Sequence, residues 1–141
     1  MEWGENDMTI KAIVSDLGNV IINVNWDRFC SEMLKYCRYS KKDVMKKVVQ
    51  SKLKKNIYEA GLITSHDFFK KAKSALDAKI DYKTFARIWC NIFTLNNSVA
   101  DLLKKLKSKY PIFLLSNTSE LHLKYVKKKF PKIFIFKALT L

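Results

Sequence analysis

Two short stretches hold residues whose types and positions suit chemistry. The first, Ser15-Asp16-Leu17-Gly18-Asn19, breaks an apolar run at 10–14. A carboxylate at the end of a buried strand is costly unless something uses it. The second, Ser116-Asn117-Thr118-Ser119, follows the apolar run 112–115. It offers a hydroxyl, an amide and backbone N–H groups at a helix start, all donors that match phosphate oxygens. An acid at one strand end and such donors at another suit phosphoryl transfer. A carboxylate beside a phosphate also calls for a cation, which implies Mg²⁺. Both stretches have plainer uses, an Asx turn at Asp16 and a helix cap at Ser116–Ser119.

For the two stretches to meet, strands must carry them to one rim. Residues 10–14 read as a buried strand, with a second apolar piece at 20–24. From Trp26 the period becomes helical: Phe29, Cys30, Met33, Leu34 and Cys37 share its face. Ser40 caps the next helix, whose apolar face is Val44, Val48, Val49 and Leu53, and Gly61 is placed to close that unit. Thr64 or Ser65 starts a third helix with Phe68, Phe69, Ala72, Ala75 and Leu76. Asp81 opens a fourth with Phe85, Ile88, Trp89 and Ile92. After Asn96 and Asn97 a fifth helix turns Val99, Leu102, Leu103 and Leu106 inward. A buried strand at 112–115, a helix at 120–129 and a strand at 133–136 complete the order.

Strands joined by helices imply an α/β fold with a Rossmann-like parallel sheet and right-handed crossovers. Ligands of such sheets bind at the carboxyl ends of the strands, where Asp16 and Ser116-Asn117 both fall. The expected organisation is an α/β core at 1–24 and 96–141, incomplete at three strands, with an inserted helical bundle at 25–95.

Composition narrows the partners. The chain has 141 residues, 48% of them hydrophobic, enough for one domain with a core. No apolar run is long enough to span a membrane. The acidic, polar start MEWGENDMTIK lacks a signal-peptide pattern, so the cytoplasm is the expected location. Three cysteines without CxxC spacing and two histidines argue against a disulfide framework or a zinc site. Cys30, Cys37 and Cys90 read as small hydrophobes. The net charge of +14 favours anionic partners. Its 24 lysines against three arginines, with no aromatic interleaving, make a weak case for nucleic acid. The candidate faces for that use are 41–55 and 124–132, with the best patch at Lys127-Lys128-Lys129.

The stretch Ser15-Asp16-Leu17-Gly18-Asn19-Val20-Ile21 resembles the first motif of the haloacid dehalogenase superfamily in its D-L-G-N-V variant. Leu114-Leu115-Ser116-Asn117-Thr118 resembles that superfamily's second motif, and the helical stretch between them has the size of its cap domain. Tyr58-Glu59-Ala60-Gly61-Leu62-Ile63-Thr64 with Phe68, and Trp89 before Ile92-Phe93, resemble the cap of its glucose-1-phosphate phosphatase-like branch. The resemblance implies a magnesium-dependent phosphatase for a small phosphorylated metabolite, such as a sugar phosphate. Asp16 would attack phosphorus and form an aspartyl-phosphate. Asp16 and the Gly18 carbonyl would hold Mg²⁺. Ser116, Asn117, Leu17 and Gly18 would bind the phosphoryl oxygens, and the cap would close over the substrate.

The sequence also departs from that pattern. Gly18 stands where most of the superfamily has an aspartate that serves as general acid and base. No lysine-proline pair follows Pro131, and no Asp or Glu follows Glu120. The third and fourth motifs are therefore absent, as if the chain were truncated before them. That implies poor Mg²⁺ affinity, slow or no turnover by this chain alone, and an open edge on the first strand that invites self-association. A binding module that keeps the phosphate turn without turnover is the alternative. His122 is expected to be a surface or helix-packing residue, His66 to face solvent, and Trp26 and Trp89 to belong to the cap core.

Overall fold

The computed structural model describes residues 9–137 and the backbone of 139–140. β1 (Ile13–Ser15) and β2 (Ile22–Val24) flank the turn that carries Asp16. Then come α1 (Trp26–Met33), α2 (Lys41–Val44), α3 (Ser65–Ala75) and α4 (Tyr82–Cys90). β3 (Phe93–Leu95), α5 (Asn97–Leu106), β4 (Ile112–Leu115), α6 (Glu120–Lys129) and β5 (Leu139–Thr140) follow.

The main sheet is parallel, in the order β1-β4-β5. Ile13 pairs with Ile112, Val14 with Phe113 and Ser15 with Leu114, so β1 and β4 end side by side. Helices join the strands, which makes this the expected Rossmann-like α/β sheet with a helical cap. Among the described residues no strand pairs with the outer edge of β1. Val14 is 63% exposed there, and Leu115 at the end of β4 is 56% exposed. The expectation of strands buried throughout is thus corrected. β1 also begins at Ile13 rather than residue 10, and Ile10 is exposed.

The last strand lies at Leu139–Thr140 and not at 133–136. Pro131 opens a 3₁₀ turn, Pro131–Ile133, that buries Ile133. The Phe134 and Phe136 rings meet edge to face at 6.3 Å in the loop beyond. An apolar run does not by itself separate a strand from a packed loop.

β2 and β3 form a two-stranded antiparallel ribbon, with Ile22 opposite Leu95 and Val24 opposite Phe93. Sequence periodicity gives no sign of β3, because its partner lies far away in the chain. Asn96 locks the ribbon to the Asp16 turn: its N–H donates to the Ile21 carbonyl at 2.9 Å and its side-chain amide to the Val20 carbonyl at 3.1 Å.

Helix starts follow local chemistry. Ser40, Thr64, Asp81, Asn96 and Ser119 each accept a backbone N–H three residues on. Gly61 takes a left-handed φ of 72° where the second helical unit ends. α1 stops at Met33, short of Cys37, where the Lys35 and Tyr36 N–H groups turn to carbonyls three residues back, Glu32 at 3.3 Å and Met33 at 2.9 Å. The second helix is α-helical only over Lys41–Val44, then passes into wider π turns at Met45–Val49 and Leu53–Tyr58. Val44 and Val48 stay buried through that change. Leu102, expected to face inward on α5, is 53% exposed, whereas Leu103 is buried.

The cap holds the densest packing. Trp89 is fully buried, with the Phe29 and Phe68 rings each 4.9 Å away and Phe85 stacked at 5.8 Å. Cys30 and Cys90 are buried and Cys37 is half-buried. Burial in apolar surroundings pushes the Cys30 thiol up to about 11 and the Cys90 thiol up to about 12, values that suit packing rather than reactivity.

Candidate active site

The parallel register of β1 and β4 decides the geometry of the candidate site. With Ser15 opposite Leu114, the next residues of each strand, Asp16 and Ser116-Asn117, emerge at the same rim. Together with Val14, Ser15 and Leu115 they line an open cavity of about 490 Å³. The two stretches singled out in sequence therefore face one crevice.

The Asp16 side chain is exposed, and its Oδ1 accepts the Leu17 N–H at 2.6 Å. The Ser15 hydroxyl donates to the Asp16 carbonyl at 2.9 Å. The turn beyond is tight. The Leu17 carbonyl accepts from Ile21 and Ile22, both at 3.0 Å, and Asn19 takes a left-handed φ of 57°. Asn19 Oδ1 also accepts the Val24 N–H at 3.1 Å, tying the turn to the ribbon. The left-handed position falls on Asn19 and not on Gly18. A Cβ built on Gly18 would meet only Val24 Cγ2, at an ordinary 3.7 Å. No steric demand thus requires glycine at 18.

Ser116 is buried at the end of β4, and Asn117 is exposed. Among the described residues neither side chain has a hydrogen-bond partner, which leaves both free to donate into the crevice. The Leu17 side chain is in the core, and its N–H is already engaged by Asp16. Of the two backbone N–H groups expected to meet phosphoryl oxygens, Gly18's is the one left free of such a bond.

As a test of fit for Mg²⁺, the donor set is small. Among the described residues Asp16 is the only carboxylate that lines the crevice, with the Gly18 carbonyl two residues on. Among the described residues no three His, Cys, Asp or Glu side chains gather. Such a set suits a largely hydrated cation held by one or two protein oxygens.

Behind the crevice lies a polar seam between cap and core that sequence reasoning missed. His122, on the first turn of α6, is buried and donates through Nε2 to the Trp89 carbonyl of α4 at 3.0 Å. A carbonyl can only accept, so Nε2 carries the proton. The ring stacks on Trp89 at 5.2 Å and meets Phe93 edge to face at 4.9 Å. Burial drives its pKa down to about 3, the Trp89 bond opposes that, and the Lys54 charge adds to it. His122 is therefore a neutral packing residue, not a surface one. His66 is exposed, and its ring lies 4.8 Å from Tyr82.

Lys54 and Glu59 form the other part of the seam. The Lys54 side chain is 9% exposed, its Nζ 2.7 Å from Glu59 Oε1 and 4.8 Å from the centre of the Trp26 ring. Tyr58 donates to or accepts from Ser65 at 2.8 Å. Burial raises its phenol, while the Ser119 and Ser65 hydroxyls pull it back. Nothing in sequence distinguishes Lys54 from its neighbours Lys52 and Lys55, because the π register that turns it inward appears only in three dimensions.

No protein-family model matches the chain, and no curated protein matches it in sequence. Solved structures do. One is a HAD family enzyme from Bacteroides thetaiotaomicron, an aspartate-to-alanine mutant in complex with magnesium and inorganic phosphate. It is 30% identical with a TM-score of 0.78, over 94% of this chain and 69% of that one. A HAD-like family hydrolase from Porphyromonas gingivalis is similar at 19% identity and a TM-score of 0.75, over 93% and 65%. An L-2-haloacid dehalogenase from Xanthobacter autotrophicus is similar at 19% identity and a TM-score of 0.59, over 94% and 56%. The last two likenesses concern the fold alone.

Proposed function

Because this chain belongs to the haloacid dehalogenase (HAD) family, we propose that its crevice binds a phosphoryl group and that Asp16 is the nucleophile of phosphomonoester hydrolysis. One observation carries the reading: the β1–β4 register brings Asp16 and Ser116-Asn117 to the lining of one cavity. The magnesium and phosphate bound by the Bacteroides enzyme support the same chemistry.

The steps use this chain's own groups. An Asp16 carboxylate oxygen attacks phosphorus, and the bond from phosphorus to the substrate's ester oxygen breaks. An aspartyl-phosphate forms, and the departing alkoxide takes a proton from solvent water. Water then attacks the aspartyl-phosphate at phosphorus, releasing inorganic phosphate and restoring the carboxylate. The Leu17 N–H at 2.6 Å holds one Asp16 oxygen and so orients the other. The Ser116 hydroxyl, the Asn117 amide and the Gly18 N–H donate to the phosphoryl oxygens. Mg²⁺, held by the Asp16 carboxylate and the Gly18 carbonyl, would offset the repulsion between carboxylate and phosphate. With Gly18 two residues after Asp16, no side chain there supplies the leaving-group proton.

The substrate class is a small phosphomonoester, sugar phosphates included, and turnover by these 141 residues alone is slow. Release of nitrophenol from p-nitrophenyl phosphate, with and without Mg²⁺, tests this. Slow release that needs Mg²⁺ and vanishes in Asp16→Asn supports the proposal. Rates equal to those of a HAD enzyme with further acidic ligands would overturn the expectation of slowness. No Asp16-dependent release at all would favour the second reading, a phosphate-binding module. That reading rests on Asp16 being the crevice's only carboxylate among the described residues. It expects ³¹P line broadening of inorganic phosphate that is lost in Ser116→Ala.

A further inference from the structure

A groove runs along α5, from Leu95 and Asn97 at its start to Lys107 and Ser108 past its end, with the segment 132–137 on the other side. It has two lobes of about 890 Å³ and 220 Å³ that share Lys107, Ser108 and Ile135. One wall is the tail of α5, where Lys109 and Tyr110 fold back to donate to the Leu106 carbonyl, both at 2.9 Å. The other wall is fixed by the Lys137 N–H, which donates to the Ile112 carbonyl at 2.8 Å.

Five exposed lysines line this groove: Lys104, Lys107 and Lys109 from the first wall, Lys132 and Lys137 from the second. Among the described residues none of them forms an ion pair with a carboxylate. Asp101 is the single acid in the lining among the described residues. The floor between the walls is apolar, with Ile133 buried and Leu95 and Ile135 half-buried.

Helix chemistry accounts for part of this pattern. Lysines at the end of α5 offset its exposed carbonyls. Lys132 and Lys137 have no such local reason, since they follow a different helix and a 3₁₀ turn. Ammonium groups that converge from two segments repel one another within the roughly 10 Å reach of charge in dilute salt. Spread over the surface they would repel less. An anionic occupant relieves that repulsion, and an apolar floor favours one that also brings an aliphatic side chain.

We propose that this groove docks an acidic segment of a partner protein, with carboxylates on the five lysines and an aliphatic side chain against Ile135. Nucleic acid fits less well. The lining has no arginine, and its one aromatic ring, Tyr110, is half-buried, whereas single strands are held by exposed stacking rings.

The test is fluorescence anisotropy with a short labelled peptide of alternating Glu-Asp and Leu pairs. Two variants of equal net charge are compared. One carries Lys104→Glu, Lys107→Glu, Lys132→Glu and Lys137→Glu. The other carries Lys42→Glu, Lys46→Glu, Lys52→Glu and Lys55→Glu on the cap. Thermal unfolding checks that both remain folded. The groove variant is expected to lose on the order of tenfold more affinity than the cap variant. Ile135→Ser is expected to weaken binding several-fold at unchanged charge. Equal losses in the two charge variants would overturn the proposal in favour of diffuse attraction to a basic surface. Tighter, groove-dependent binding of a single-stranded RNA would overturn it in favour of nucleic acid. Neither outcome bears on hydrolysis at Asp16, because among the described residues the groove and the Asp16 crevice share no lining residue.

Discussion

The cap and the sheet are built to opposite specifications. In the cap, Trp89, Phe29, Phe68 and Phe85 are almost wholly buried and interlock ring on ring. In the sheet, strands of two to four residues leave Val14 and Leu115 more than half exposed, with β1 unpaired on its outer side among the described residues. Burial of apolar area is the main source of stability. The cap therefore holds the molecule together, while the candidate chemistry sits where the packing is thinnest. An exposed rim can orient a carboxylate and two donors without filling the space a phosphate needs.

The comparison breaks most sharply at Trp89. Its indole Nε1 is buried and has no hydrogen-bond partner among the described residues, so packing holds the ring. Trp89→Ala is expected to cost about 3–5 kcal/mol in urea unfolding. A loss below about 1 kcal/mol would mean the cap does not carry the stability. Lys54→Met comes next, because it strands the mostly buried Glu59 carboxylate. About 1–3 kcal/mol should be lost, less than for a fully dry pair. Adding Glu59→Gln should recover most of it.

The seam makes stability depend on pH. The unfolded His122 titrates near about 6.5, and the folded one near 3. Between those values the unfolded chain binds the extra proton. His122's contribution is thus fully present above pH 6.5 and falls as pH drops toward 3. Its slope reaches about 1.4 kcal/mol per pH unit. His122→Phe should flatten the unfolding free energy between pH 6 and 4, and an unchanged slope would assign the dependence to other groups. The smallest effect is expected on the rim. Gly18→Asp finds room beside Val24 and should shift stability by no more than about 0.5–1 kcal/mol. If a proton donor is what the rim lacks, the same variant should speed p-nitrophenyl phosphate hydrolysis by about tenfold or more.

Sequence patterns carried most of the framework. Asn19 shows a limit at the site itself: an asparagine beside a glycine took the left-handed turn, because its side chain could bond the Val24 N–H. The strand placed at 133–136 shows another, since Phe134 and Phe136 are as apolar as a strand would be yet pack in a loop. Leu102 shows a third: the inward face was expected to include it, yet it is 53% exposed while Leu103 beside it is buried.

By itself the amino-acid order determined where helices begin and where β4 runs. Those features depend on bonds between residues three or four apart, or on the apolar character of one short run. Only the tertiary structure decided that β2 pairs with β3, that His122 is dry and neutral, that Lys54 turns inward to Glu59, and that five lysines share one groove. The partners in most of those arrangements lie tens of residues away, and even Lys54 and Glu59, five apart, meet only through a π turn. A chain carries no local mark of a neighbour that folding alone supplies.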